Sequence, residues 1–283
     1  MLAIQRFSAV SAVDASFRLY RRYFSTLFLV ALITTVPPAI VGVGFQIAQA
    51  RLMRLVEGAA VPGPEMVANI GPALGVWFAT FFVYMITISV AGMFAMGATT
   101  IVANHAAFGR RTTAAEALRA TWDRAGALFA AVLLTALVST TGLFFFVIPG
   151  IYTYLGFLFL APAFLLERLS VGQALRRSWS LAEGRRGRIF GATLIVGVQL
   201  AALTVGVGAI NAVVGWQDVS FTIKLIEGLV GHLASAVVAP LWYVTIVLLY
   251  YGTRVEREAF DVEVLLNELA RQPLTEGTVE GIP

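Results

Sequence analysis

Ala125–Leu166 reads AGALFAAVLLTALVSTTGLFFFVIPGIYTYLGFLFLAPAFLL, 42 residues without one charged side chain. A helix that crosses a bilayer needs about 20 mostly apolar residues, so this stretch holds two crossings. Pro149-Gly150, near its middle, is a tight-turn signal. Ala125–Ile148 and Ile151–Leu166 are therefore predicted to form a transmembrane hairpin with almost no loop. The second arm is short, at 16 residues.

Four further apolar segments flank this one: Tyr23–Ala48, Ala73–Val102, Ile189–Gly215 and Leu229–Tyr251. The predicted fold is all-α and polytopic, with about six membrane helices. Ala73–Val102 is longer than one crossing requires, so it should tilt or bend, with Gly92 and Gly97 as bend points. Composition agrees. The 283 residues are 59% hydrophobic and 13% charged, with mean hydropathy +0.83; a soluble domain is about half apolar and about a quarter charged. Cysteine is absent, which excludes disulfides, thiolate metal sites and cysteine nucleophiles. The opening MLAIQRFSAVSAVDASFRLYRR lacks the short apolar run and small-residue cleavage site of a secretory signal, so the first crossing is expected to be retained. Residues 1–271 are predicted as one membrane domain and 272–283 as a frayed tail.

Basic residues set the expected orientation. The N-terminus, residues 103–124, 167–188 and the C-terminal tail carry 17 of the 20 Lys+Arg. The opposite loops hold only Arg51, Arg54 and Lys224. The first face, with both termini, is thus predicted to be cytoplasmic. This bias explains the net charge of +4 without a nucleic-acid partner.

Three stretches on that face align without gaps. Each opens on a hydroxyl residue (Ser8, Thr113, Ser170), continues to an alanine (Ala12, Ala117, Ala174) and ends on an aromatic (Phe17, Trp122, Trp179). Apolar or small residues follow helical spacing: Ala114, Ala117, Leu118, Thr121 and Trp122 in the second, Val171, Ala174, Leu175, Ser178 and Trp179 in the third. Thr113-x-x-Glu116 and Ser170-x-x-Gln173 are capping boxes. Short amphipathic helices lying in the interface are predicted, each leading two crossings. The architecture is then three copies of one unit around an axis along the membrane normal. A tail helix is predicted from the stripe Val255, Ala259, Val262, Leu266 and Leu269. With its acidic residues, such as Glu256 and Glu263, it could dock on the basic face, extend into solvent or meet a partner.

Two of these regions carry a family resemblance. One runs from Ala161-Pro162 through Glu167-Arg168-Leu169-Ser170-Val171 to Ala174-Leu175-Arg176-Arg177-Ser178-Trp179-Ser180-Leu181. The other is Tyr250-Tyr251-Gly252-Thr253-Arg254-Val255-Glu256-Arg257-Glu258-Ala259-Phe260-Asp261. With Ala15-x-Phe17-Arg18-Leu19-Tyr20, they resemble the membrane domain found ahead of some bacterial glycerophosphoryl diester phosphodiesterases, and its free-standing relatives. The family usually has Asp-Leu at Gly252-Thr253 and Gly at Ala259. The resemblance implies a bacterial plasma-membrane protein. It does not imply the phosphodiesterase activity, which belongs to a separate barrel of roughly 250 residues.

Chemistry is sparse. His105 and His232 lie near opposite membrane faces and cannot share a metal. Neither HExxH nor GxSxG occurs. Glu167-Arg168 closes the fourth crossing and can self-pair. Gln199 and Asn211 are the notable polar residues of the fifth. Pro37-Pro38, Pro162 and Pro240 fall inside spans and free backbone carbonyls there. The candidate lipid contacts are Arg119, Arg124, Arg176, Arg177, Arg185, Arg186 and Arg188, since guanidinium groups grip phosphate with two prongs. A non-enzymatic, cofactor-free membrane protein is expected, a lipid-interacting or partner-recruiting module at the cytoplasmic face. Its partners would be membrane lipids with anionic head groups, or another membrane or soluble protein. The alternative is a lipid or small-molecule transporter, with Gln199 and Asn211 in a cavity between the three units.

Overall fold

A computed structural model describes residues 7–58, 64–214, 221–260 and Val262. Among them lie ten helices and no strand. They are α1 (Ala9–Arg22), α2 (Phe24–Glu57), α3 (Pro64–Ala107), α4 (Ala114–Trp122), α5 (Ala125–Phe145), α6 (Val147–Gly156), α7 (Leu160–Leu166), α8 (Val171–Ala182), α9 (Arg186–Val214) and α10 (Phe221–Glu258). Five stretches are long and apolar enough to cross a membrane: Phe24–Glu57, Ile70–Ala107, Ala125–Phe145, Val147–Leu166 and Val230–Glu258. The predicted fifth crossing, Ile189–Gly215, coincides with α9 except for Gly215, which is outside the described residues. The protein is an all-α, polytopic membrane protein. The predicted tail, 272–283, also lies outside the described residues.

The reversal inside the opening stretch sits three residues earlier than Pro149-Gly150. Phe146 alone is extended (φ −150°, ψ 113°) between α5 and α6. Its N–H donates to the Gly142 carbonyl (2.8 Å), and its own carbonyl accepts from Gly150 N–H (3.1 Å). Pro149 falls in the first turn of α6, where a helix has no use for the missing N–H. Gly150 serves packing: a Cβ there would lie 2.4 Å from the Leu143 Cα across the hairpin. The fourth crossing therefore starts at Val147 and reaches full length, in two pieces. Its break at Phe157–Phe159 is bridged by Ser178 of α8, whose hydroxyl donates to the Gly156 carbonyl (2.8 Å) and accepts from Phe159 N–H (3.1 Å).

The three short helices form as their caps dictate. Thr113 Oγ1 accepts from Glu116 N–H (3.2 Å) while Thr113 N–H donates to Glu116 Oε2 (2.9 Å). The Thr113 N–H, followed by the Thr112 and Thr113 hydroxyls, holds the Glu116 carboxyl below its usual pKa. In α8, Gln173 Oε1 accepts from Ser170 N–H (3.1 Å). α1 has a box as well: Ser8 Oγ accepts from Ser11 N–H (3.1 Å), and Ser11 Oγ accepts from Ser8 N–H (2.8 Å). Each helix buries its alanine and the hydroxyl residue one turn later, namely Ala12 with Ser16, Ala117 with Thr121 and Ala174 with Ser178. Small side chains there permit close approach. A Cβ on Gly97 of α3 would sit 2.5 Å from the Thr121 methyl carbon, so Gly97 is a packing position within a helix that continues unbroken.

Which helix rests on which follows a rule. The membrane pairs are α2/α3, α5 with α6–α7, and α9/α10. α4 lies on α3 and α2, and α8 lies mainly on α7 and α6, so each sits on the pair preceding it in the chain. α1, with no preceding pair, lies on α10 and α9, the last one.

α10 ends at Glu258, because Ala259 takes a left-handed φ of 49°. The predicted tail stripe is interrupted there: Val255 is buried, Ala259 is exposed, and Leu266 and Leu269 are outside the described residues. Phe260 folds back to stack on Tyr251 (5.6 Å between centroids) beneath the Arg254 guanidinium (4.1 Å). A side chain with a Cβ is strained at such a φ, so Ala259→Gly should stabilise the protein by about 1 kcal/mol. A higher midpoint in thermal unfolding of the detergent-solubilised protein is the expected readout.

Candidate functional site

Ion pairs gather at one end of the bundle, where α7, α8, the start of α9 and the last turns of α10 meet. Glu167, at the end of α7, is the hub. Both its oxygens accept from Arg177 Nε (3.0 and 2.9 Å). Oε1 also accepts from the Tyr250 hydroxyl and lies 3.9 Å from Arg254 Nε. Arg177 then donates through both terminal nitrogens to Glu258, which Arg254 Nε also reaches (3.0 Å). Side chains here are only 16–27% exposed. Glu167 thus pairs across helices rather than with Arg168, which takes a left-handed φ of 54°.

A second cluster adjoins it. Glu256 accepts from Arg185 Nε (2.8 Å) and from both terminal nitrogens of Arg188. Arg257 donates to the carbonyls of Ser180 and Glu183, capping the end of α8. Acidic residues of the C-terminal region do dock on the basic face, but they do so from α10 itself.

The seven predicted arginines divide into two groups. Arg177, Arg185 and Arg188 are spent on these carboxylates. Arg124 donates to the Phe164 (2.6 Å) and Leu169 (2.7 Å) carbonyls at the end of α7, with its guanidinium 4.0 Å above the Phe164 ring. Arg186 lies 3.9 Å over Tyr152 and 4.5 Å over Trp179, and donates to the Tyr152 hydroxyl (2.7 Å). That placement combines cation–π attraction with desolvation. Only Arg119 and Arg176 are exposed, and neither forms an ion pair among the described residues.

Two clefts open at this end. One, of about 490 Å³, is lined by Gly184, Arg185, Gly187, Arg188 and Glu256. The other, of about 430 Å³, is lined by Phe157, Leu175, Arg176, Trp179, Ser180 and Glu183. Gln199 is exposed, and the Asn211 side chain is outside the described residues. No group of three or more His, Cys, Asp or Glu suited to a metal occurs among the described residues.

Sequence reasoning placed Glu256 near the basic face and paired Glu167 with the wrong arginine; it missed Tyr250 and Glu258 as members of the network, and the Tyr251 hydroxyl donating to Asn104 Oδ1. The residues carrying the family resemblance were the available signal. Glu167 and Arg177 come from one stretch, Tyr250, Arg254 and Glu258 from the other, and they converge in this network. No family model matches the chain, and no solved structure matches it.

Proposed function

We propose that this is a non-enzymatic, multi-pass protein of the bacterial plasma membrane that binds anionic lipid head groups at its cytoplasmic face, and that it is a free-standing counterpart of the phosphodiesterase-linked membrane domain. Arg176 carries the reading. Arg176 is exposed, has no ion pair among the described residues, and borders a cleft walled by Phe157, Leu175 and Trp179. A phosphate suits the guanidinium, and the upper acyl chain of the same lipid suits the apolar wall. In α4, Arg119 is exposed three residues before Trp122, which is itself 70% exposed and whose ring stacks on Phe94 (5.6 Å). The other five arginines hold the fold, which narrows the binding surface to α4 and α8. The matched caps, buried alanines and seating of α1, α4 and α8 support an origin by duplication.

The test is lipid retained by the purified protein. Arg119→Ala with Arg176→Ala should lower bound phosphatidylglycerol, counted by mass spectrometry, by roughly tenfold or more, since each basic contact contributes about 1 kcal/mol. Arg21→Ala with Arg22→Ala removes the same charge from α1, where both arginines are exposed, and should change little. Equal losses from the two pairs would reduce the effect to bulk attraction and end the proposal.

A further inference from the structure

The α5–α6 turn is unlike a loop that emerges into water. Phe144 is 84% exposed, Phe145 68%, Phe146 70%, Val147 61% and Ile148 81%. These five neighbours form the outermost point of the hairpin, and no charged residue lies between Ala125 and Leu166. The other end of α2 is built differently: Arg51, Arg54 and Glu57 are all exposed there.

Length separates the two hairpins further. α5 has 21 residues, about 31 Å at a rise of 1.5 Å per residue. It starts where Arg124 is tied to the end of α7, at the polar end of the bundle. That length matches the hydrocarbon thickness of about 30 Å with nothing to spare, so a tilt beyond about 20°, the average for membrane helices, leaves the turn short of the far surface. α2 has 34 residues, about 51 Å, which carries Arg51 about 40 Å from its start.

The backbone of the turn also suits an apolar surrounding. Lipid offers no hydrogen bonds, so irregular backbone is tolerated there only when its polar groups are satisfied. A single residue, Phe146, is non-helical, and both its N–H and its carbonyl are bonded. Pro149 removes one of the donors that the first turn of α6 would otherwise leave free.

We propose that the second membrane pair is a hairpin whose turn stays in lipid, entering from the polar end and finishing among the acyl chains of the far leaflet. Phe144–Ile148 form a wedge whose partner is lipid hydrocarbon. This stands independently of head-group binding at Arg176.

The chain has no cysteine, so single replacements report cleanly. Phe145→Cys and Ile148→Cys alter fully lipid-facing positions, and Phe144→Cys is the reserve should either fail to fold. Arg51→Cys is the water-exposed control. In proteoliposomes, a membrane-impermeant maleimide should label the three turn variants at least tenfold more slowly than Arg51→Cys, whichever side it is added from. A bimane attached at the turn before reconstitution should be quenched by phospholipid carrying a nitroxide on its acyl chain, and bimane at Arg51→Cys should not. Labelling as fast as the control would show a loop in water and overturn the proposal. Slow labelling without nitroxide quenching would show a protein cover, such as a second copy, and overturn it equally.

Discussion

Glu167→Ala lowers the stability of the detergent-solubilised protein by about 3 kcal/mol, at the low end for breaking a buried ion pair. The carboxylate joins three helices at once: α7 by its own backbone, α8 through Arg177 and α10 through Tyr250 and Arg254. Truncation removes the acceptor and leaves two guanidinium groups and a phenol under-partnered, and the cost lies there. Arg177 retains Glu258, which keeps the loss from being larger. Glu167→Gln keeps an acceptor for Tyr250 and loses the charge, so it should fall between the alanine variant and the native chain. The expected readout is a fall of several degrees in melting temperature. An unchanged midpoint for Glu167→Ala would sink the claim that this carboxylate ties the three helices together.

Gly150→Ala produces a comparable loss, about 3 kcal/mol, by a different route. The added carbon meets the Leu143 Cα at 2.4 Å and its backbone nitrogen at 2.4 Å. Neither atom belongs to a flexible side chain, so α5 and α6 must separate. Gly142 faces Gly150 from the other arm, with only 3.1 Å for a Cβ, so no slack exists opposite. Gly172→Ala is the control: nothing lies within 4 Å of its Cβ position, and alanine is the better helix former. It should leave stability level or raise it slightly. Identical melting curves for Gly150→Ala and Gly172→Ala would contradict the close approach of the two arms.

Local patterns explain what was legible before the structure. The spans announce themselves through length and hydropathy. Thr113–Glu116 and Ser170–Gln173 announce helix starts because a capping box is contained in four residues. Ser8 stands out as an opening hydroxyl, but its box with Ser11 does not, because a serine stands where Glu or Gln usually does, yet its hydroxyl reaches the same N–H. Pro149-Gly150 misled because the pair has two uses, as a turn and as the first turn of a helix packed closely on its neighbour. The arginine set shows the limit most clearly. Arg177 and Glu258 are 81 residues apart, and Tyr250 and Glu167 are 83 apart. Charge bias places arginines on a face, but it carries no information about which carboxylate closes on them. Five of the seven proved to be internal partners for that reason.

The seating of α1 has a consequence for the order of synthesis. α1 is made before the two membrane pairs that separate it from α9 and α10, the neighbours it mainly rests on. At about 5–20 residues per second, roughly 10–50 s separate the two events. Throughout that interval the face of Ala12, Ala15, Ser16 and Leu19, all fully buried in the finished protein, lacks the two helices it mainly rests on. An amphipathic helix without its partner lies on the membrane surface, so α1 waits there as a tethered surface helix. Phe7 finally lies against Gly252, where a Cβ would meet its ring at 2.9 Å. The bundle is thus latched shut by Phe7 and α1, and only once α10 has been made.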